Sequence, residues 1–232
     1  MEKKKVVVLT GAGMSAESGL KTFRDANGLW EGHDVMQVAS PQGFARNPEL
    51  VLEFYNQRRR QLLEVSPNAG HHALASLEKH FEVSVVTQNV DNLHEQAGSS
   101  HVVHLHGELF KVRSTVDENY ILDWQHDLVL GDVDKNGYQL RPHIVWFGEM
   151  VPMMVTAMRI TQQADILIIV GTSMQVYPAA GLINYAPQQT PIYFIDPRPT
   201  ISSSDFFNLT VISETAAEGV PTLVDRLFDT MI

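Results

Sequence analysis

Residues 6–10, Val-Val-Val-Leu-Thr, form an apolar, β-branched run that stops abruptly at Gly11-Ala12-Gly13-Met14-Ser15-Ala16-Glu17-Ser18-Gly19. The pattern predicts a strand, a tight turn and the start of a helix. Gly11 and Gly13 let the backbone bend and approach a ligand without Cβ interference, and free N–H groups at the positive end of a helix would favour a phosphate there. The spacing Gly11-x-Gly13-x-x-Ala16 fits a dinucleotide-binding fingerprint, which is ordinarily followed about 20 residues later by an acidic residue at the end of a second strand. Here the next convincing strand spans residues 81–87. Either the glycines make only a turn, or a long insertion covers the ligand.

Bulk properties narrow the class. The 232 residues are 44% hydrophobic and 19% charged, the balance of a soluble globular chain with one sizeable core. A net charge of −10 argues against non-specific binding to nucleic acid or an anionic membrane, because both need a basic surface. The absence of cysteine excludes disulfides and thiolate metal sites and fits a reducing compartment. The basic start Met1-Glu2-Lys3-Lys4-Lys5 precedes an apolar run too short for a signal sequence, and no run approaches the ~20 residues of a membrane span. The expectation is a cytoplasmic monomer.

Along the chain, apolar runs at 81–87, 102–105, 144–146, 166–170, 192–195 and 209–212 read as buried parallel strands. Helices are expected over 41–65, where Asn47 caps and Pro48 takes the first position, and over 69–79, 92–97, 153–164, 179–185 and 221–231. The alternation predicts an α/β fold, a doubly wound parallel Rossmann-like sheet in a single domain over 1–232, with a small subdomain formed by insertions at about 26–70 and 111–142. The residues just after the strands are informative: Gly11-Ala12-Gly13, then Gln88-Asn89-Val90-Asp91, His106-Gly107, Gly171-Thr172-Ser173, and Asp196-Pro197. Ligands of open α/β sheets lie beyond the carboxyl ends of the strands, so these clusters share one crevice. Its groups suit a cofactor with phosphates, ribose hydroxyls and a carboxamide, and His106 suits general-base work.

Seven ordered blocks carry a more specific signal: Gly11-Ala12-Gly13-x-Ser15-x-x-Ser18-Gly19, Thr22-Phe23-Arg24, Gly28-Leu29-Trp30, Thr87-Gln88-Asn89-Val90-Asp91-Asn92-Leu93-His94, His104-Leu105-His106-Gly107, Trp146-Phe147-Gly148-Glu149 and Gly171-Thr172-Ser173. Together they resemble the sirtuin family of NAD-dependent protein deacylases, over nearly the whole chain. The resemblance implies that NAD is consumed: the acyl oxygen of an acyl-lysine protein attacks the nicotinamide ribose, nicotinamide leaves, and the products are free lysine and O-acyl-ADP-ribose. By position, it implies that Gly11, Ala12, Gly13 and Ser15 hold the pyrophosphate with Glu17 nearby, while Thr22, Phe23 and Arg24 lie on a cofactor-covering loop. Gln88, Asn89 and Asp91 would set the ribose and nicotinamide pocket, and His106 would deprotonate ribose hydroxyls; His106, Asn89 and Asp91 are the catalytic candidates. Gly171, Thr172 and Ser173 would contact the adenosine side, with Asp196 and Ala216 at later contacts. Phe147, Gly148 and Glu149 would pair with the substrate backbone as an added strand.

The same resemblance reaches the acyl group. Tyr55 and Arg58 match the Tyr-x-x-Arg pair of the sirtuin branch that prefers succinyl, malonyl and glutaryl lysine, and the small Ala39 would widen the pocket. An Arg fork and a phenol suit a carboxylate. Sirtuins usually hold structural zinc with four cysteines; Ser114 stands where the first would be, so no zinc is expected and packing by Trp124 and Tyr138 would hold the module. His104 reads as structural, His71-His72 as a helix start, and Arg59 and Arg60 as a solvated helical face. Glu17 and Asp91 could also be local caps. Two other functions stay open: a sirtuin-like NAD hydrolase or ADP-ribosyltransferase, and a non-catalytic NAD-binding module.

Overall fold

The structure, a computed structural model, describes residues 3–21, 29–30 and 32–229. In chain order the elements are β1 (Lys5–Thr10), β2 (Leu29–Trp30), β3 (His33–Asp34), α1 (Val35–Val38), α2 (Pro41–Arg46), α3 (Pro48–Leu62), α4 (Ala69–Ser76), β4 (Glu82–Thr87), α5 (Leu93–Ala97), β5 (Val102–His104), β6 (Gly107–Ser114), β7 (Ile121–Asp123), β8 (Leu140–Ile144), α6 (Met154–Thr161), β9 (Ile166–Val170), β10 (Ile192–Ile195), β11 (Leu209–Ile212) and α7 (Ala216–Asp229). Six strands pair in parallel in the order β11-β10-β9-β1-β4-β5. The chain winds outward from β1 in one direction and returns to start again at β9, the doubly wound topology, with its switch point between β1 and β9.

The apolar run of β1 explains its central place. Successive side chains alternate across the sheet, so Val6 and Val8 join a core with Leu74 of α4 and Val220, Leu223, Val224 and Leu227 of α7. Val7 and Leu9 join the opposite core, with Ala157 of α6 and the 3-10 segment Ala179–Tyr185. A strand buried on both faces needs no polar alternation.

At the switch point three glycines interlock. Gly11 N–H donates to Val170 O (3.0 Å) and Gly13 N–H to Gly171 O (2.8 Å). A Cβ on Gly13 would stand 2.6 Å from Gly171 Cα, and one on Gly171, where φ is +61°, would stand 2.3 Å from Met14 N. The turn therefore continues as two 3-10 turns, Ala12–Met14 and Ala16–Ser18, in place of the expected helix. Both glycine N–H groups of this turn are bonded at the end of β9 and not left free.

Other expectations shift for tertiary reasons. The apolar run at 144–146 belongs to no parallel strand: β8 ends at Ile144 in a separate antiparallel sheet ordered β7-β6-β8. The last helix begins at Ala216 and carries Pro221 inside it, because the Glu17 carboxylate accepts from Ala217 N–H (2.8 Å) and caps the helix from a distant part of the chain. Residues 179–185 are 3-10 rather than α.

The module after β6 is held differently from expectation. Tyr138 is half exposed, while Leu128 and Leu140 pack on Leu52 of α3 and Val112 of β6, with Trp124 at the margin. Asn56 clamps Leu128 at both ends of its amide, donating to Leu128 O (3.0 Å) and accepting from Leu128 N–H (2.8 Å). Arg59 is fully buried, not solvated: it donates to Leu109 O (3.1 Å) and Asn56 Oδ1 (2.7 Å), and burial lowers its pKa to about 10. Arg60 does stay exposed, paired with Glu53 and Asp127.

The interlock predicts a steep position dependence for Gly→Ala. Gly171→Ala should destabilise by about 3 kcal/mol, combining backbone overlap with an unfavourable φ. Gly131→Ala has positive φ but open space around it, and should cost only about 1 kcal/mol. Urea unfolding of the two variants measures the difference.

Candidate functional site

The carboxyl ends of β1, β4, β5 and β9 converge through polar side chains. Thr10 and Thr87, paired across β1 and β4, share a hydroxyl hydrogen bond (2.8 Å), and His94 Nε2 lies 3.0 Å from Thr10 Oγ1. Thr87 Oγ1 accepts from Asn89 N–H. Ser15 Oγ then donates to Asp91 Oδ2 (2.9 Å) and accepts from Asn89 Nδ2 (3.1 Å), tying the turn after β1 to the segment after β4. Asp91 is buried, which raises its pKa against the opposing bonds from Leu93 N–H and Ser15. Its Leu93 bond lies at the first residue of α5, whose N-cap position is Asn92. Gln88 Nε2 crosses the switch point to Thr172 Oγ1 (3.2 Å).

Two histidines grip consecutive backbone carbonyls of that segment. His106 Nδ1 lies 3.1 Å from Gln88 O, a pure acceptor, so Nδ1 carries the proton and Nε2 keeps its lone pair. Burial holds the His106 pKa below 6.5, against the raising effect of the Gln88 bond. His104 bonds Asn89 O through Nδ1 (3.1 Å) and Glu95 Oε1 through Nε2 (2.7 Å). Both partners only accept. Although burial alone would lower it, the Glu95 bond and charge raise the His104 pKa above 6.5.

The remaining residues of the crevice sit at its flanks. Asp196, just after β10, accepts from Arg198 N–H (2.8 Å) and is nearly buried. Ser173 follows Thr172, its carbonyl accepting from Thr200 Oγ1 (2.9 Å). Ala216 is buried at the start of α7 beside the Glu17 cap. Thr22, Phe23 and Arg24 lie outside the described residues.

A second cluster gathers the acyl-pocket candidates. Ala39 O, after α1, accepts from Phe147 N–H (3.0 Å), and Tyr55 OH accepts from Trp146 Nε1–H (3.0 Å). Ala39, Tyr55 and Trp146 are buried in one core. Arg58 lies one turn along α3 from Tyr55, its guanidinium 3.6 Å from the Phe54 ring centroid and Nη1 donating to Phe54 O (2.6 Å). Phe147 and Gly148 are exposed, but the Glu149 carboxylate turns inward to Arg141 (2.6 and 3.1 Å), Arg113 (3.3 Å) and Trp146 N–H (2.7 Å). Burial opposes, but these bonds hold Glu149 below the usual carboxylate range. The clusters meet where Val145 N–H donates to His106 O (2.9 Å).

Sequence reasoning missed Arg113 and Arg141. The chain does not fit a thiolate zinc site: it has no cysteine, and Ser114 Oγ accepts from Val116 and Asp117 N–H groups. Among the described residues no three His, Asp or Glu side chains assemble as a cation cage.

The doubly wound sheet and its polar, glycine-built switch point define a nucleotide-binding class of α/β protein. The Sir2 family model matches residues 11–178, so the chain belongs to the Sir2 family. It is 56% identical over 226 residues to an NAD-dependent protein deacylase of Helicobacter pylori, covering 97% of this chain and 98% of that protein. The structure resembles a Sir2 homologue solved in complex with NAD, at 39% identity and a TM-score of 0.88, covering 100% of this chain and 92% of the other. It also resembles a Sir2–p53 peptide–NAD+ complex, at 26% identity and a TM-score of 0.79, covering 98% and 95%. No helix among the described residues is long and apolar enough to cross a membrane.

The two histidines should titrate apart. In an NMR titration His104 should lose its proton above pH 6.5 and His106 below it, and Glu95→Gln should bring His104 down. The His104 contribution to stability is present at low pH and lost as pH rises through its folded pKa. A His104 midpoint unmoved by Glu95→Gln would contradict the assignment.

Proposed function

We propose that this chain is an NAD-dependent protein lysine deacylase that favours succinyl, malonyl or glutaryl lysine over acetyl lysine. One observation carries the reading: the backbone bond from Val145 to His106 joins a histidine with an uncommitted ring nitrogen to the wall that holds Ala39, Tyr55 and Trp146. A base and an acyl pocket in one continuous site have no use in a simple NAD hydrolase or a binding module. The likeness to NAD-dependent relatives and to NAD- and peptide-bound homologues supports NAD as co-substrate and a protein as partner.

In this reading NAD, when bound, supplies the ribose that receives the acyl group. His106 Nε2 takes a proton from a ribose hydroxyl as general base. Asn89 and Asp91, fixed through Ser15, set the nicotinamide and ribose pocket with Gln88. Gly11, Ala12, Gly13 and Ser15 lie along the pyrophosphate, with Glu17 serving chiefly as the cap of α7. Thr22, Phe23 and Arg24 cover the cofactor; Gly171, Thr172, Ser173, Asp196 and Ala216 take the adenosine side. The exposed backbone at 147–149 adds the substrate peptide as a strand. Tyr55 and Arg58 offer a neutral donor and a cation to the acyl carboxylate. The enzyme works without zinc, as a monomer in the cytoplasm.

Incubation with NAD and matched succinyl- and acetyl-lysine peptides, with products resolved by mass, should give O-acyl-ADP-ribose and faster succinyl turnover. NAD loss independent of peptide would favour a hydrolase, and no NAD loss at all would favour a binding module. Arg58→Met should cut succinyl turnover roughly 10- to 100-fold, the cost of one charge-assisted hydrogen bond, and acetyl turnover far less. Because the base acts unprotonated, kcat/KM should fall on acidification with a midpoint below 6.5. A midpoint well above that value would remove His106 from the role.

A further inference from the structure

Among the described residues, two guanidinium groups share one carboxylate behind the wall that holds Tyr55 and Trp146. Arg113 and Arg141 both reach Glu149, and no second carboxylate joins them among the described residues. His143, nearby, is neutral, with burial first and Arg113 second lowering its pKa to about 4. Tyr55 itself is fully buried, and burial drives its pKa far above that of an ordinary phenol, so it remains a neutral hydroxyl.

The hydrogen-bond inventory of that hydroxyl is lopsided. A phenol offers one donor and accepts as well. Tyr55 OH accepts from Trp146 Nε1–H (3.0 Å), and among the described residues its own O–H finds no acceptor. The indole is held on three sides. Its backbone N–H bonds Glu149 Oε2 (2.7 Å), the Arg141 guanidinium carbon stands 3.4 Å from its ring centroid, and Phe44 packs at 5.3 Å. Arg141 and Glu149 are themselves joined by two hydrogen bonds.

We infer that Trp146, locked by Glu149 and Arg141, is a specificity-determining residue that occupies the acceptor side of the Tyr55 hydroxyl and leaves it only an O–H to offer. An acyl group ending in a carboxylate accepts that hydrogen. An acetyl methyl leaves a buried donor unpaired, which is costly. The inference rests on the acidic-acyl reading above and adds a residue and a geometry to it: Trp146 acts through Tyr55, not on the substrate.

The test is a mutant cycle read as the ratio of succinyl to acetyl kcat/KM on peptides identical apart from the acyl group. Trp146→Phe keeps an aromatic ring beneath Arg141 and removes the N–H together with part of the indole. It and Tyr55→Phe should each lower the ratio about tenfold, and the double variant should fall no further than either alone. A Trp146→Phe ratio within twofold of wild type, while Tyr55→Phe lowers it, would overturn the role of Trp146 and leave the acidic-acyl reading standing. Additive losses of about a hundredfold in the double variant would likewise overturn the coupling. A wild-type enzyme with no succinyl preference would remove the reading and this inference together. A second readout needs no variant of the pocket: the Trp146 indole 15N–1H resonance of the wild type should shift on binding the succinyl peptide and not the acetyl peptide. Equal shifts with both would count against the proposal.

Discussion

The backbone contact between Gly13 and Gly171 is the constraint on which the rest of the site depends. It brings the ends of β1 and β9 closer than any side chain would permit, since a Cβ at either residue would overlap the other strand's backbone. Gly171 N–H in turn bonds Ile195 O, so the ends of β9 and β10 are drawn into the same junction. The crevice at the switch point is therefore shaped by backbone. With the glycine N–H groups used this way, the polar groups that the turn presents are the side chains around it, Ser15, Gln88 and Thr172.

On the other side of β1, two histidines two residues apart show how one residue type is given two charge states by its neighbours. Both sit at the end of β5 and both grip a carbonyl of the segment after β4. His104 has a second acceptor, Glu95, and so both ring nitrogens must donate. His106 has none among the described residues, so one nitrogen donates and the other remains a base, and burial keeps it so. His104 is spent on fixing the Asn89 backbone, and His106 keeps one ring nitrogen uncommitted among the described residues. A metal pair would have needed both lone pairs and further ligands.

Much of this was legible in the sequence because buried parallel strands are short continuous apolar runs, and because the residues just after such strands face the ligand whatever the helices do. The misread segments share a different cause. Residues 144–146 are apolar because Trp146 packs on Tyr55 and Phe44, not because they enter the large sheet. The start of α7 depends on a carboxylate 200 residues away. Arg59 follows the same logic: three consecutive arginines on a helix point about 100° apart, so they cannot share one face, and Arg59 is the one that phase turns toward Asn56 and Leu109. Composition marks all three as solvated; only helix phase together with the neighbouring module separates them.

Helix α3 explains how the pocket and the cysteine-free module coexist. Tyr55, Phe54 and Val51 line the core shared with Ala39 and Trp146. Leu52, Asn56, Arg59 and Arg60, on the adjoining stripe of the helix, reach Leu128, Leu109 and Asp127. The module is thus tied to the helix by an apolar contact, a two-ended amide clamp, a buried guanidinium and a surface ion pair. A thiolate cage would fix such a module within itself, whereas these contacts fix it to the helix that bears Tyr55 and Arg58. β6 completes the link from the module side, since it supplies Val112 to the module's core and Arg113 to Glu149, behind Trp146. Position of the module and shape of the pocket are then set by the same two elements.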